Sequence, residues 1–233
     1  MVAAGVGYLL LTPRTPAEGG TVSYTTAQQT SSSSSGQPST TSTLTLPSSW
    51  TVFPDASSDL VDQNGKVVGD LGQPYADVAS VSCGVYNEAM FFHFVLHGPI
   101  PSNVSDSHVT IIEYQVLLDA DQNPNTGYQY GKDFTPDYIL QYHVSFDNPT
   151  RTAQTQLQLL KHSGDGKSWN WTPIEGTLTV EGGVGQDFVI ITGRYQDLSL
   201  PSSGAPVNFI GRSALVYDGE TYNDPTYNKP SGS

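Results

Sequence analysis

The sequence has a single cysteine and few basic residues. Cys83 cannot form an internal disulfide, and one thiol excludes a zinc site built from cysteines. It lies in the alternating run ASVSCGVY, which predicts a small buried residue of a strand. Nine Lys and Arg residues against 22 Asp and Glu residues give a net charge of −13. This balance argues against nucleic acid and against an anionic membrane surface as partners, because both are bound through clustered basic side chains.

Charged residues of either sign are also scarce. They make up 13% of the chain, whereas Ser, Thr, Gln, Asn and Tyr are abundant. Such a neutral polar surface is typical of many secreted and cell-surface domains, so we expect an extracellular location. Among the acids, 16 are Asp and 6 are Glu. Because Asp favours turns and metal-binding loops whereas Glu suits helix surfaces, this bias predicts a β protein.

The first 49 residues differ in composition from the rest. Residues 1–12 form an apolar run too short to cross a bilayer, which resembles the end of an export signal or anchor; the alternative is an ordinary first strand. Residues 13–49 are rich in Ser, Thr, Gly and Pro and predict a disordered stalk. Within it, TVSYTT and STLTL alternate like strands and are candidates for segments lent to a neighbouring subunit. Membrane contact is expected only through residues 1–12.

Residues 50–233 are predicted to form the globular domain. They carry short alternating apolar runs separated by Gly, Pro, Asn and Asp, and no window keeps a helical period for three turns. About nine such strands predict an all-β fold, an antiparallel β-sandwich of jelly-roll or immunoglobulin-like type. The clearest strand is DYILQYHVSF, in which one face carries Tyr138, Leu140, Tyr142, Val144 and Phe146.

Oxygen-bearing side chains follow one predicted strand at alternate positions, in LLDADQNPNTGYQYGKDFTPDY (117–138). Calcium binds six to eight oxygens of carboxylates, amides and carbonyls at about 2.3–2.6 Å. The stretch is not an EF-hand, because Gly127 falls at the ninth loop position and Tyr130 at the twelfth. It predicts a calcium loop, with a metal-free Asx-rich turn as the alternative. The candidate ligands are Asp119, Asp121, Asn123, Asn125, Asp133 and Asp137.

Several motifs together resemble the family 9 carbohydrate-binding modules and the DOMON domains. The loop has the pattern D-x-D-x-N-x-x-T-G…D-Y, an upstream acidic segment precedes two strands and a GPIP turn, and YDGETYNDPTYNKP closes the match. The resemblance spans residues 55–228. It implies a secreted sandwich of a group whose members bind sugars or haem. It also implies structural calcium ligands at Asp119, Asp121, Asn123 and Asp137.

Two sequons predict glycosylation at Asn103 and Asn170. Trp169 and Trp171 lie on either side of the second site and share one strand face. A glycan on Asn170 would face solvent, so we expect both tryptophans to point into the core. The alternative is a platform on which the two tryptophans stack against a sugar ring.

The sequence predicts a binding or structural protein and no enzyme, because it contains no Ser-His-Asp order, nucleophile elbow or P-loop. We expect a calcium-stabilised sandwich that binds carbohydrate or another cell-surface component. The candidate stacking residues are Tyr128, Tyr130 and Tyr222. The alternative is a self-associating subunit of a surface layer or filament, in which an N-terminal strand of one copy completes the sandwich of the next.

Overall fold

The computed structural model describes the main part of the chain and two short N-terminal segments. The described residues are 45–130, 134–146, 149–201 and 207–225, with the backbone of 7–9 and 20–21. Most of the predicted apolar run and stalk lies outside them. Within the described residues there is no helix, and so none that could cross a membrane. The strands are β1 (Gly7–Leu9), β2 (Gly20–Thr21), β3 (Thr45–Leu46), β4 (Thr51–Pro54), β5 (Val78–Tyr86), β6 (Ala89–Leu96), β7 (Val109–Asp119), β8 (Tyr138–Phe146), β9 (Ala153–His162), β10 (Trp171–Pro173), β11 (Leu178–Gly182), β12 (Phe188–Arg194), β13 (Val207–Tyr217) and β14 (Glu220–Pro225).

The strands form two antiparallel sheets packed face to face, which confirms the predicted β-sandwich. The larger sheet has the order β1-β13-β7-β8-β9-β10, with β14 also paired to β13. The smaller sheet has the order β11-β12-β6-β5-β4, and β2 and β3 form a separate two-stranded ladder. The predicted strand DYILQYHVSF is found as β8, in the middle of the larger sheet.

The core lies between the two sheets and is built from alternate residues of the central strands. Leu140 of β8 and Phe92 of β6 are completely buried in it. Tyr114 of β7 is also completely buried, and its hydroxyl donates a hydrogen bond to the Tyr75 carbonyl at 2.6 Å, which satisfies its one polar atom. Cys83 is 1% exposed, and burial raises the pKa of its thiol, so it is the small buried residue that the sequence predicts.

The outer face of the smaller sheet is covered by residues that the sequence assigns to the stalk. Leu46 is 8% exposed and belongs to one apolar cluster with Phe91 and Ile190, which point away from the core. Trp50 meets Phe91 edge-on at 6.4 Å between ring centroids. Among the described residues, Leu46 therefore packs on the sheet although composition assigns it to the stalk. The reason is that an apolar patch on the sheet needs cover, which composition alone does not reveal.

The outer face of the larger sheet carries a second apolar patch. Leu117, Ile139 and Ile210, from β7, β8 and β13, point away from the core and are at most 2% exposed. Phe134, from the connection between β7 and β8, packs on them and is 1% exposed. The half-buried Trp171 completes the patch. The predicted calcium loop is therefore folded back over the sheet.

Two segments share the outer edge of β13. The strand β14 pairs with residues 212–217, and the backbone of β1 pairs with residues 207–209. Together they cover the edge that β13 would otherwise present for pairing with another chain.

Candidate calcium loop and binding face

The loop between β7 and β8 brings three of the six predicted metal ligands together. Asp119 is the last residue of β7 and Asp137 directly precedes β8, so the pairing of the two strands places them side by side. The amide of Asp137 donates to the Leu118 carbonyl at 2.8 Å, and the amide of Ala120 donates to Asp137 Oδ2 at 3.0 Å. Carboxylate oxygens of Asp119, Asp121 and Asp137 all lie within 4.8 Å of one another. This spacing suits one cation held between them.

The electrostatics of these three carboxylates favour a cation. Burial raises the pKa of Asp119, and the charge of Asp121 raises it further. Burial also raises the pKa of Asp137, and the charges of Asp121 and Asp119 add to that effect. Among the described residues, none of the three carboxylates forms an ion pair with a basic side chain. A divalent cation would reverse the repulsion and stabilise the ionised forms.

Two of the other predicted ligands, Asn123 and Asn125, form hydrogen bonds within the loop. Asn123 Oδ1 accepts hydrogen bonds from the backbone and side-chain amides of Asn125, at 3.1 and 3.2 Å. Asp121 Oδ1 accepts from the Asn123 amide at 2.8 Å and from the Thr126 hydroxyl at 3.0 Å. These bonds curl the loop through successive Asx turns, so Asn123 and Asn125 shape it in the structure. Asp133 lies outside the described residues.

Asn208 is a candidate site residue that the sequence analysis missed. It lies opposite Asp119 in the pairing of β13 with β7, and its Nδ2 donates to Asp119 Oδ2 at 3.3 Å. Asn208 is 5% exposed, and its Oδ1 has no hydrogen-bond partner within the described chain. The only indication of this role in the sequence is that Asn208 is a polar residue inside the apolar run PVNFIGR.

Gly127 is the position at which the loop turns back on itself. Its φ is +68°, and a Cβ there would lie 2.4 Å from the Thr135 carbonyl oxygen. Beyond it the chain forms a narrow ladder of backbone hydrogen bonds. The Tyr128 amide donates to the Pro136 carbonyl at 2.9 Å, and the Tyr130 amide donates to the Phe134 carbonyl at 2.9 Å. This ladder carries both predicted tyrosines onto the outer face of the larger sheet.

An aromatic cluster forms where the loop meets the chain before β10; it consists of Tyr128, Tyr130, His162, Trp169 and Trp171. Tyr128 and Trp169 meet edge-on at 4.9 Å, and the two tryptophans at 5.4 Å. Trp169 is 48% exposed. The expectation that both tryptophans enter the core is therefore wrong, because they lie on the outer face, where the loop covers only part of them.

A polar network covers the neighbouring part of the same face; it consists of Glu113, Gln115, Gln141, His143 and Arg212. Glu113 accepts hydrogen bonds from Gln115 at 2.7 Å and Gln141 at 3.1 Å, and it pairs with His143 at 2.9 Å. Gln115 accepts from Arg212 Nε at 2.7 Å. The Arg212 guanidinium also lies over the Trp169 ring, 5.1 Å from its centroid, so the polar network and the aromatic cluster are continuous.

Glutamines of β9 extend the polar network towards the edge of the sheet. Gln156 lies opposite His143, and Gln158 lies opposite Gln141. Both glutamines and Glu175 line a groove of about 450 Å³. The alternation in QTQLQLLK predicts this strand, but the sequence alone does not show that its glutamines share a face with the aromatic cluster. We call the aromatic cluster, the polar network and these glutamines together the binding face.

The remaining predicted site residues lie apart from the binding face. Tyr222 is on β14 at the edge of the sheet, where its hydroxyl donates to Glu220 at 3.2 Å. Among the described residues, no ring contact joins it to the aromatic cluster. Asn103 is exposed and donates to the Thr150 carbonyl at 3.2 Å, and Asn170 is exposed beside the two tryptophans.

No protein-family model matches the sequence, and no curated protein is significantly similar to it. The resemblance of residues 55–228 to the family 9 carbohydrate-binding modules and the DOMON domains stays a prediction drawn from motifs.

Proposed function

We propose that this chain is a non-catalytic extracellular β-sandwich, stabilised by calcium, that binds carbohydrate through the outer face of its larger sheet. The observation that carries the proposal is the continuity of the polar network with the aromatic cluster through Arg212. A sugar presents hydroxyl groups around an apolar ring face. Acids, amides and a guanidinium bond the hydroxyls, and aromatic rings pack on the apolar face.

Calcium supports this function by fixing the loop that carries two of the rings. Tyr128 and Tyr130 follow Asp119 and Asp121 on the same loop, and Asp137 closes it. An ion held by the three carboxylates would order the loop before the sugar arrives. A loop that is already ordered loses less conformational entropy when the sugar binds, so sugar affinity depends on calcium in this proposal.

The test is a glycan array followed by calorimetry with the identified sugar, each with calcium and with a chelator. We expect Trp169→Ala to weaken binding about tenfold, since it removes the most exposed ring of the face. Val52→Ala is the matched control, because Val52 is 57% exposed on the smaller sheet. An array without binders in the presence of calcium, or equal affinity of Trp169→Ala and the wild type, would refute the proposal.

A second candidate function is that of a subunit in a surface layer or filament. The observation that favours it is the pairing of β1 with residues 207–209, at the end of the β13 edge that β14 leaves uncovered. In this candidate the edge accepts β1 from a neighbouring copy. Strand addition of this kind builds chains of subunits through backbone hydrogen bonds.

Electron microscopy and light scattering of the purified full chain test this second candidate. Replacing Tyr8 and Leu9 together by proline removes two adjacent backbone donors, so the assemblies should dissociate. Replacing the same two residues by alanine keeps the donors and should keep the assemblies. A wild-type protein that stays monomeric at high concentration excludes this candidate and leaves the carbohydrate proposal intact.

A further inference from the structure

A second group of acids lies where β14 meets the start of β5, apart from the calcium loop. Oxygens of Asp55, Asp59 and Asp224 all lie within 4.8 Å of one another. A fourth acid, Asp77, directly precedes β5, and its charge acts on both Asp59 and Asp224. These residues come from three separate parts of the chain: the segment after β4, the start of β5 and the strand β14.

Burial makes this group unusual. Asp224 is 0% exposed and Asp77 is 2% exposed. One oxygen of each is satisfied, since the Val78 amide donates to Asp224 Oδ2 at 2.5 Å and the Ser58 amide donates to Asp77 Oδ2 at 2.8 Å. The other oxygen of each, and Oδ1 of Asp59, has no hydrogen-bond partner within the described chain. Buried carboxylate oxygens are normally hydrogen-bonded or bound to a metal, so these oxygens are available as ligands of a cation.

The negative charge of these side chains favours a cation as the ligand. The carboxyl groups of Asp59 and Asp224 approach each other directly, which two anions do only with a proton or a cation between them. The carboxylates of Asp55, Asp59 and Asp77 lie around Asp224, whose side chain is completely buried. Among the described residues no Lys or Arg forms an ion pair with the group, and His97 is the basic neighbour whose charge acts on Asp59.

We propose that Asp55, Asp59, Asp77 and Asp224 bind a second calcium ion. A set of four acids offers only oxygen ligands, which is the chemistry that hard divalent cations require. Calcium suits it better than magnesium, because carboxylates from three separate segments give an irregular shell of six to eight oxygens, whereas magnesium requires near-ideal octahedral geometry and keeps its waters.

The position of this ion gives it a structural role. The segment after β4 is already joined to β14 by two hydrogen bonds, from the Val61 amide to Asn223 at 2.8 Å and from the Asn223 amide to Val61 at 2.9 Å. The Ser213 hydroxyl of β13 donates to the Ala76 carbonyl, just before β5. A calcium ion here ties the last described strand of the larger sheet to the first long strand of the smaller one. It clamps the two sheets at this end of the sandwich.

The test is the number of calcium ions bound by the full chain, measured by equilibrium dialysis after treatment with a chelator. We expect two ions for the wild type, one for Asp59→Ala, one for Asp119→Ala and none for the double variant. Asp59 is chosen because it is half-buried, so its removal disturbs packing less than removal of Asp224 does. Circular dichroism checks that each variant retains its β structure.

Glu220→Ala is the matched control, since it removes one acid from the exposed start of the strand that carries Asp224 and should leave two ions bound. Equal calcium numbers for Asp59→Ala and the wild type would overturn the second site, whatever the result at Asp119. A proton shared by Asp59 and Asp224 instead of an ion gives this same overturning result. Loss of an ion in Asp59→Ala with no loss in Asp119→Ala would support the second site and refute the calcium loop.

Discussion

Asn208 lies directly across from Asp119 in the pairing of β13 with β7, and its side-chain amide donates a hydrogen bond to the Asp119 carboxylate at 3.3 Å. The first acid of the proposed calcium loop is therefore held by the sheet, whereas Asp121 lies on the exposed part of the loop. An ion that binds both connects a residue of the sheet to the exposed turn of the loop. Its binding energy should then appear as stability of the whole domain.

Calcium should raise the melting temperature of the wild type, and Asp119→Ala should lose the part of this shift that the loop contributes. At a concentration about a hundred times the dissociation constant, one bound ion adds roughly 2.7 kcal/mol to the free energy of unfolding. For a domain of this size that corresponds to about 5–10 °C. Asn208→Ala should weaken calcium binding at the loop about tenfold, because residues that orient a ligand are commonly worth that much. The measurement is a thermal melt followed by circular dichroism, with calcium and with a chelator.

The chelator provides the decisive comparison for this prediction. If its addition leaves the melting temperature of the wild type unchanged, the Asx run is a turn without a metal. If Asp119→Ala keeps its β-type circular dichroism spectrum and the full calcium-dependent shift in melting temperature, the loop is not the site at which calcium binds.

Replacing Gly127 by alanine should destabilise the protein by more than about 2 kcal/mol, because it combines two penalties. The residue has a φ of +68°, and a Cβ would lie 2.4 Å from a backbone oxygen of Thr135, which cannot move without opening the ladder. Gly72→Ala is the matched control: its φ is +70°, but nothing lies within 4 Å of its Cβ position. The control should cost about 1 kcal/mol for the backbone strain alone.

Urea unfolding curves of the two glycine variants measure this difference. Equal destabilisation by both variants would mean that the close approach of Gly127 to Thr135 does not constrain the loop. We also expect weaker calcium binding for Gly127→Ala only, since Gly72 lies outside the calcium loop.

Strand alternation is enough to predict the fold but not the position of the site. In β8 every second residue is apolar because one face meets the core, and this local pattern is visible in the sequence. Alternation says which residues share a face, but it does not say what covers that face. Trp169 and Trp171 share the face opposite the sequon residue Asn170, which predicts that they enter the core, whereas a loop that begins about fifty residues earlier covers part of them on the outside.

The two groups of acidic residues also differ in how far the sequence predicts them. Asp119, Asp121 and Asp137 lie close together in sequence, so their spacing predicts a common site. Asp55 and Asp224 are brought together only by the pairing of the two ends of the domain. Contacts of such large sequence separation leave no spacing pattern, and only the folded chain reveals them.

Leu46→Ala in the full chain should lower the free energy of unfolding by about 2 kcal/mol, because it uncovers the patch of Phe91 and Ile190 on the smaller sheet. The same change at Val52, which is 57% exposed, should cost less than about 0.5 kcal/mol. Urea unfolding followed by tryptophan fluorescence measures both. Equal effects of the two substitutions would mean that residues 45–49 belong to the stalk, as composition predicts.

The pH dependence of stability should contain a contribution from His93. Its ring lies between Trp50 at 5.8 Å and Phe188 at 5.7 Å, on the outer face of the smaller sheet. Burial there lowers the pKa of His93, and the charge of Asp187 only partly opposes this effect. In the unfolded chain a histidine titrates near about 6.5. Between that value and the lower pKa of the folded state, the unfolded chain binds more protons than the folded one.

Stability that depends on a neutral His93 is therefore fully present above about pH 6.5 and is lost as the pH falls towards the folded pKa. His108 changes the pH dependence of stability in the opposite direction, because its hydrogen bond to Asp218 raises its pKa in the folded state. The difference between the wild type and His93→Gln isolates the first effect, since both proteins keep His108. Urea unfolding between pH 8 and pH 5 should show a shallower loss of stability for His93→Gln, and NMR titration of the wild type should find His93 below the usual range. A His93 pKa at or above that of an unfolded histidine would contradict this account, because the aromatic enclosure would then not exclude water from the ring.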